Sequence, residues 1–85
     1  MKITLEQWQT FKTVIDEGSF AKAAEVLNKS QSSVSYILAR LQEQLPVPPL
    51  VQRGRKAELT EAGKVLYRHA ASLLQEAEQL EKTAA

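Results

Sequence analysis

Residues 30–45 read SQSSVSYILARLQEQL and gather Ser30, Gln31, Ser32, Ser33, Ser35 and Tyr36 ahead of a single cation, Arg40. These uncharged groups both donate and accept hydrogen bonds. Their helix propensity is poor, by a few tenths of a kcal/mol per serine against the best formers. An exposed helical face without a task more commonly carries Glu, Lys and Arg. What small hydroxyls permit is close approach to a polar surface that admits a helix. The major groove of DNA, about 12 Å wide, is such a surface, and its flanking phosphates suit a helix N-terminus with free N–H groups. The competing reading is local: Ser30 and Ser33 act as caps and Ser35 bonds back to its own helix.

At roughly 100° per residue, Val34, Ile37, Leu38, Leu41 and Leu45 point inward. Ser32 and Tyr36 then face outward with Ala39, Arg40 and Glu43, while Ser33 and Ser35 sit at the two edges. A second set lies in LVQRGRKAEL, where Arg53, Arg55 and Lys56 surround Gly54. β-leaning residues on either side make this a short hairpin with Gly54 near its tip. Its cations suit phosphates or a minor groove; the competing readings are a solvated turn and an irregular loop. The net charge of +1 hides an asymmetry. Residues 28–70 hold seven basic side chains (Lys29, Arg40, Arg53, Arg55, Lys56, Lys64, Arg68) against three acidic ones, whereas both flanks are net acidic. A basic middle fits a polyanion, and equally a solvated face.

The elements that must position these groups are also written locally. Thr4 and Gln7 have capping-box spacing ahead of a stripe of Leu5, Trp8, Phe11, Val14 and Ile15. Gly18 stops that helix and Ser19 opens the next, with Phe20, Ala23, Ala24, Val26 and Leu27 on one side. Asn28 suits a left-handed ending, and Ser30 caps the third helix, which Pro46, Pro48 and Pro49 terminate near residue 45. Such short connections force packing of neighbours, and the second pair has the size of a helix-turn-helix. Thr60 and Glu61 open a fourth helix running to about residue 82. Leu66, Ala70, Leu73, Ala77, Leu80 and Ala84 follow the heptad spacing of a helix seam. That helix spans roughly 35 Å, against a radius of gyration of about 12 Å for a domain this size. Its far end should project with an apolar edge exposed, and that edge needs a partner.

Eighty-five residues suit one small domain, and the absence of cysteine excludes disulfides and thiolate metal sites. No nucleophile–base pair, phosphate-cradling glycine loop or paired-carboxylate pattern is visible, so an enzyme is not expected. His69 stands alone without a ligand pattern, and no metal or cofactor is expected. Trp8 reads as core. Gly63, early in the fourth helix, costs roughly 1 kcal/mol against alanine and implies close packing or backbone approach. MKITLEQWQT has no apolar signal-like run, and the default expectation is a cytoplasmic protein.

The stretches GSFAKAAEVL, SQSSVS and LTEAGKVL, taken with the rest of the chain, resemble the N-terminal winged helix-turn-helix domain of LysR-type transcriptional regulators. The resemblance implies a mainly α fold: a winged helix-turn-helix DNA-binding domain over 1–59 and a linker or dimerisation helix over 60–85. It implies a bacterial repressor or activator that reads an interrupted palindrome in double-stranded DNA as a homodimer. The helix about 31–45 would enter the major groove and the wing about 50–59 would lie on backbone or minor groove. A larger effector-sensing domain and contact with RNA polymerase would belong to the full-length protein; the chain looks like its DNA-binding portion. Carried over by position, Gln31, Ser32, Ser35 and Tyr36 face the groove. Ser19, Lys22 and the hairpin, with Lys29 nearby, face phosphates.

Departures from the family pattern bear on specificity. The family often has proline where Ser32 stands and very often arginine where Tyr36 stands. Leu50 falls at a common phenylalanine, Gln52 at a common arginine, and Pro46 at a usual glycine. A one-residue slip would give Arg53 the arginine's duty but reverse the strand's faces, which leaves the wing register open. The rival function is a small helical protein-interaction module that dimerises without binding DNA.

Overall fold

The computed structural model describes residues 2–84; Met1 and Ala85, the outer bounds of the two expected segments, lie outside the described residues. In chain order the elements are α1 (Leu5–Glu17), α2 (Phe20–Leu27), α3 (Gln31–Glu43), β1 (Leu50–Arg53), β2 (Lys56–Leu59) and α4 (Glu61–Ala84). Three helices, an antiparallel hairpin and a long last helix make the expected winged helix-turn-helix.

Each helix begins and ends where a side chain or a backbone conformation dictates. Thr4 Oγ1 accepts the Gln7 N–H at 3.1 Å and Gln7 Oε1 accepts the Thr4 N–H at 2.9 Å, the reciprocal capping box. Gly18 closes α1 with φ 86°, and Ser19 Oγ accepts the Lys22 N–H at 3.1 Å to open α2. Asn28 takes the left-handed conformation at φ 56°. Ser30 Oγ accepts the Ser33 N–H at 3.1 Å at the start of α3. That helix ends at Glu43, short of the expected residue 45. Pro46 disfavours the helical region for Leu45, and the chain leaves the helix before it.

The core joins Phe11 and Val14 of α1, Phe20, Ala23 and Ala24 of α2, and Val34, Leu38 and Leu41 of α3 to Leu50, Ala57 and Ala70. Two expected core residues lie outside it: Val26 is 60% exposed and Leu5 is 43% exposed. Both fall away from the angular centre of their stripe, and Leu5 starts its helix. Ile37 and Leu45 are only half-buried. Thr10 and Thr13 enter the core instead, because each hydroxyl donates to a carbonyl four residues back, Glu6 and Gln9, at 2.8 Å.

In the hairpin Leu50 pairs with Leu59, Val51 with Glu58, Gln52 with Ala57 and Arg53 with Lys56. The two-residue turn is Gly54–Arg55, with φ 60° at Gly54 only, the arrangement of a type II′ turn. Buried Leu50 and Ala57 face the helices, so the strand has no slip. The Ala57 N–H donates to the Gly18 carbonyl at 2.9 Å, tying the wing to the α1–α2 turn.

Thr60 fastens the base of α4. Its hydroxyl donates to the Pro48 carbonyl at 2.7 Å and accepts the Gly63 N–H at 3.0 Å, while its own N–H donates to Pro49 at 3.2 Å. A Cβ on Gly63 would lie 1.7 Å from the Pro49 carbonyl oxygen, so backbone approach explains this glycine. Ala70, expected on the intermolecular seam, is 3% exposed within the single chain and belongs to its own core. The helix turns one side to α1, and Ala70 lies on that side. Past Ala70 no described residue of α4 is buried.

Gly63→Ala should destabilise the fold by at least the roughly 1–3 kcal/mol typical of overpacking, since the opposing atoms are backbone. Chemical denaturation checks this, and an unchanged midpoint would show that α4 can lift from Pro49 without cost.

Candidate nucleic-acid interface

The outward surface of α3 begins with its cap. Ser30 Oγ also lies 3.0 Å from Ser33 Oγ and 3.1 Å from Ser32 Oγ, so three of the serines share a hydroxyl cluster at the helix N-terminus. Ser30 and Ser33 are therefore occupied by capping in part. Gln31, Ser32, Ser35 and Tyr36 are all exposed, Tyr36 at 66%. Among the described residues the Ser35 hydroxyl and the Gln31 amide have no protein hydrogen-bond partner, and back-bonding by Ser35 to its own helix is not observed. Beneath them Val34, Leu38 and Leu41 are buried and fix the rotation of the helix.

An open cleft of about 710 Å³ separates the wing from the α1–α2 turn. Ser19 and Lys22 of α2, Gln31 of α3, and Gln52, Arg55 and Lys56 of the hairpin line it. Residues scattered over nearly forty positions thus meet because Ala57 is bonded to Gly18. Glu17 and Glu58 lie at the same cleft. Gln52 was suggested by the sequence only as a register question; its pairing with Ala57 is what turns it toward the helices.

The remaining cations behave differently. Arg53 does not line the cleft; it shares the face of the hairpin that carries Lys56 and Glu58, away from Gln52, and pairs with Glu58 at 2.8 Å. Lys29 pairs with Glu6 at 3.2 Å and Arg40 with Glu43 at 3.6 Å. Lys29 borders a shallower groove with Glu6, Ser32, Ser33 and Tyr36. Lys22, Arg55 and Lys56 make no ion pair among the described residues. Exposed pairs of this sort contribute about 0–1 kcal/mol each and are readily exchanged for another anion.

The direction of α4 relative to this surface is set against α1. The Tyr67 hydroxyl donates to the Asp16 carboxylate, and Lys12 Nζ lies 2.6 Å from the other carboxylate oxygen. The Tyr67 ring meets Phe11 edge-on at 6.4 Å between centroids, and Lys12 sits 5.8 Å from its centre. Burial works to raise the Asp16 carboxyl, but the hydrogen bonds from Lys12 and Tyr67 outweigh it and leave it below its ordinary value. The hydrogen bond to Asp16 holds both the Lys12 ammonium and the Tyr67 phenol above theirs. Heptad spacing pointed to Leu66 and Ala70 and passed over Tyr67; the signal lay in Gly63, Tyr67 and Ala70, a second face at spacings of four and three. Of the other seam residues, Leu66 and Ala77 are half-buried, whereas Leu73 is 39% and Leu80 70% exposed. Trp8 is half-buried and packs edge-on against Phe11 at the margin of the core, at 6.0 Å between ring centroids.

This fold is that of a winged helix-turn-helix DNA-binding domain, and the curated relatives are named as transcriptional regulators. The family model for the bacterial regulatory helix-turn-helix protein, lysR family, matches residues 5–64, and the chain belongs to that family. Among curated relatives, the HTH-type transcriptional regulator YtlI of Bacillus subtilis is 42% identical over 76 residues, 89% of this chain and 24% of the relative. Oxidised OxyR of Corynebacterium glutamicum superposes with a TM-score of 0.93 at 36% identity, covering 99% of this chain and 26% of that one. The BenM DBD in its complex with benA site 1 DNA superposes with a TM-score of 0.88 at 30% identity, covering 95% of this chain and 94% of that one. The chain spans about a quarter of the length of the curated relatives it matches. Among the described residues no helix is long and apolar enough to cross a membrane.

The Asp16 cluster has a defined pH signature. A carboxyl lowered in the folded state stabilises the fold above its unfolded value and loses that contribution as pH falls through the folded one. Asp16→Asn should therefore cost up to about 1 kcal/mol near neutrality, the scale of partly exposed ion pairs, and the deficit should close in acid. Because the Lys12 and Tyr67 values are raised, their share is present below their unfolded values and fades as pH rises through the folded ones. Thermal melts of parent and variant across pH check this; a deficit that persists unchanged in acid would contradict it.

Proposed function

We propose that the chain binds double-stranded DNA sequence-specifically as a homodimer, for regulation of transcription. The N-terminal outer face of α3 lies in the major groove, and the wing lies on backbone or minor groove. The observation that carries this reading is the exposed, uncharged face of Gln31, Ser32, Ser35 and Tyr36, standing beside a cleft that holds Lys22, Arg55 and Lys56 without ion-pair partners. The small hydroxyls admit base edges while the cations flank them, a division between base reading and phosphate anchoring. The likeness to a domain solved with DNA supports the same reading. Ser19 at the α2 N-terminus adds a phosphate contact, and Lys29, Arg40 and Arg53 join when phosphate displaces their glutamates. Tyr36, where the family often has arginine, reads by hydrogen bond or by packing on a thymine methyl, so the target sequence is this chain's own.

The second copy is called for by α4. Leu73 and Leu80 are exposed on a helix whose far half has no fully buried residue among those described, and an isologous pairing would bury Leu66, Leu73, Ala77 and Leu80. Residues 60–85 thus act as the linker and dimerisation segment, although its first three turns are built into the core of 1–59. The exposed apolar side also suits the rival reading, a protein-interaction module without DNA. Salt separates the two, because a phosphate binder loses affinity with a slope near −0.9 per phosphate neutralised.

Selection of bound duplexes from a random pool at moderate salt should return an interrupted palindrome. Ser35→Glu should abolish binding to that duplex while circular dichroism and melting stay as in the parent; unchanged affinity would remove α3 from the interface. Leu73→Asp should yield folded monomers in analytical ultracentrifugation, and persistent dimers would refute the α4 seam.

A further inference from the structure

The long helix is held to the rest of the fold at two heights. At its base, Thr60 and Gly63 sit against the Pro48 and Pro49 carbonyls, a backbone contact that acts as a pivot. One turn higher, Tyr67 reaches Asp16 near the end of α1. Among the described residues this is the one side-chain to side-chain hydrogen bond between α4 and any other element. Asp16 is itself anchored by Lys12 and lies two residues before Gly18, whose carbonyl holds the wing strand and whose neighbour Ser19 caps α2. Above Ala70 no described residue of α4 is fully buried; Ala71, Leu74 and Ala77 are half-buried. The closest hold on the tilt of the helix therefore lies at or below that level.

The geometry makes the tilt consequential. From Gly63 to Leu80 the helix rises about 25 Å. A swing of roughly 10° about its base therefore moves its far end by about 4.5 Å, more than the rise of one base pair, about 3.4 Å along a strand. In a dimer joined through α4, each recognition helix is carried on such a lever. We infer that Tyr67, through Asp16, is a positioning residue that sets the angle between the dimerisation helix and the DNA-reading face, and thereby the half-site spacing that the dimer accepts. This rests on the homodimeric DNA-binding reading above. A bond that only stabilised the domain would change affinity for every duplex alike, whereas one that sets an angle changes the ranking among spacings.

The test uses the whole chain and the duplex recovered by selection, re-synthesised with the spacer lengthened or shortened by one and two base pairs, together with a single half-site. Tyr67→Phe keeps the ring on Phe11 and removes only the hydroxyl. It should leave half-site affinity as in the parent and reduce preference for the best spacer by about two- to tenfold, the range that one net hydrogen bond supplies. Asp16→Ala should do the same, and the double variant should be no worse than either single one. A Tyr67→Phe spacer profile identical to the parent's, or an equal loss on half-site and full site, overturns the inference while leaving DNA binding in place. A parent chain indifferent to spacing, or bound equally to half-site and full site, removes the dimeric reading and this inference with it.

Discussion

Where the Pro49 carbonyl presses on α4, the helix has no side chain to spare. A Cβ at Gly63 would come within 1.7 Å of that oxygen, and the same carbonyl takes the Thr60 N–H. Two consequences follow from this one close approach. The loop leaving α3 is pinned to the start of α4, which closes the hairpin between them. And the long helix is brought near enough to α1 for Ala70 to complete the core and for Tyr67 to reach Asp16. A domain of this size buries a limited core, so losing the Ala70 and Tyr67 contacts would remove a substantial share of the packing that orients its surface.

That surface divides its labour. Serine is used twice over: Ser19, Ser30 and Ser33 serve helix ends, while Ser32 and Ser35 keep the outer face of α3 low and uncharged. Cations are likewise of two kinds. Lys29, Arg40 and Arg53 are paired with glutamates, whereas Lys22, Arg55 and Lys56 stand without ion pairs among the described residues. Pairs so exposed contribute little to stability. In the proposed DNA-bound state, a phosphate would compete with a carboxylate for those three side chains. The net charge of only +1 fits a surface that holds part of its basic character in reserve.

Local chemistry was readable wherever one residue decides one conformation. Thr4, Gly18, Ser19, Asn28, Ser30 and Thr60 each placed a helix boundary, because capping and left-handed geometry depend on a few adjacent atoms. The proline run likewise ended α3, although Pro46 acts one residue earlier than its own position and shortened the helix to Glu43. Burial was less readable. Val26 and Leu5 are apolar, yet they stay exposed; Thr10 and Thr13 are polar, yet back-bonding lets them be covered. Which side of a helix meets a neighbour depends on the neighbour.

The same distinction runs through the site. Composition and spacing alone determined a helix-turn-helix pair, a basic hairpin, a serine-lined outer face on α3 and a long amphipathic last helix, since each is a property of residues within a few turns of one another. Only tertiary structure decided that the hairpin takes the unslipped register, because Leu50 and Ala57 must both reach the core. It alone brought Gln52, Arg55 and Lys56 to the cleft beside Ser19 and Lys22, and divided the two faces of α4 between Ala70 inside and Leu73 outside. Those outcomes depend on contacts between residues tens of positions apart, such as Ala57 with Gly18 and Tyr67 with Asp16. No periodicity within either partner encodes them.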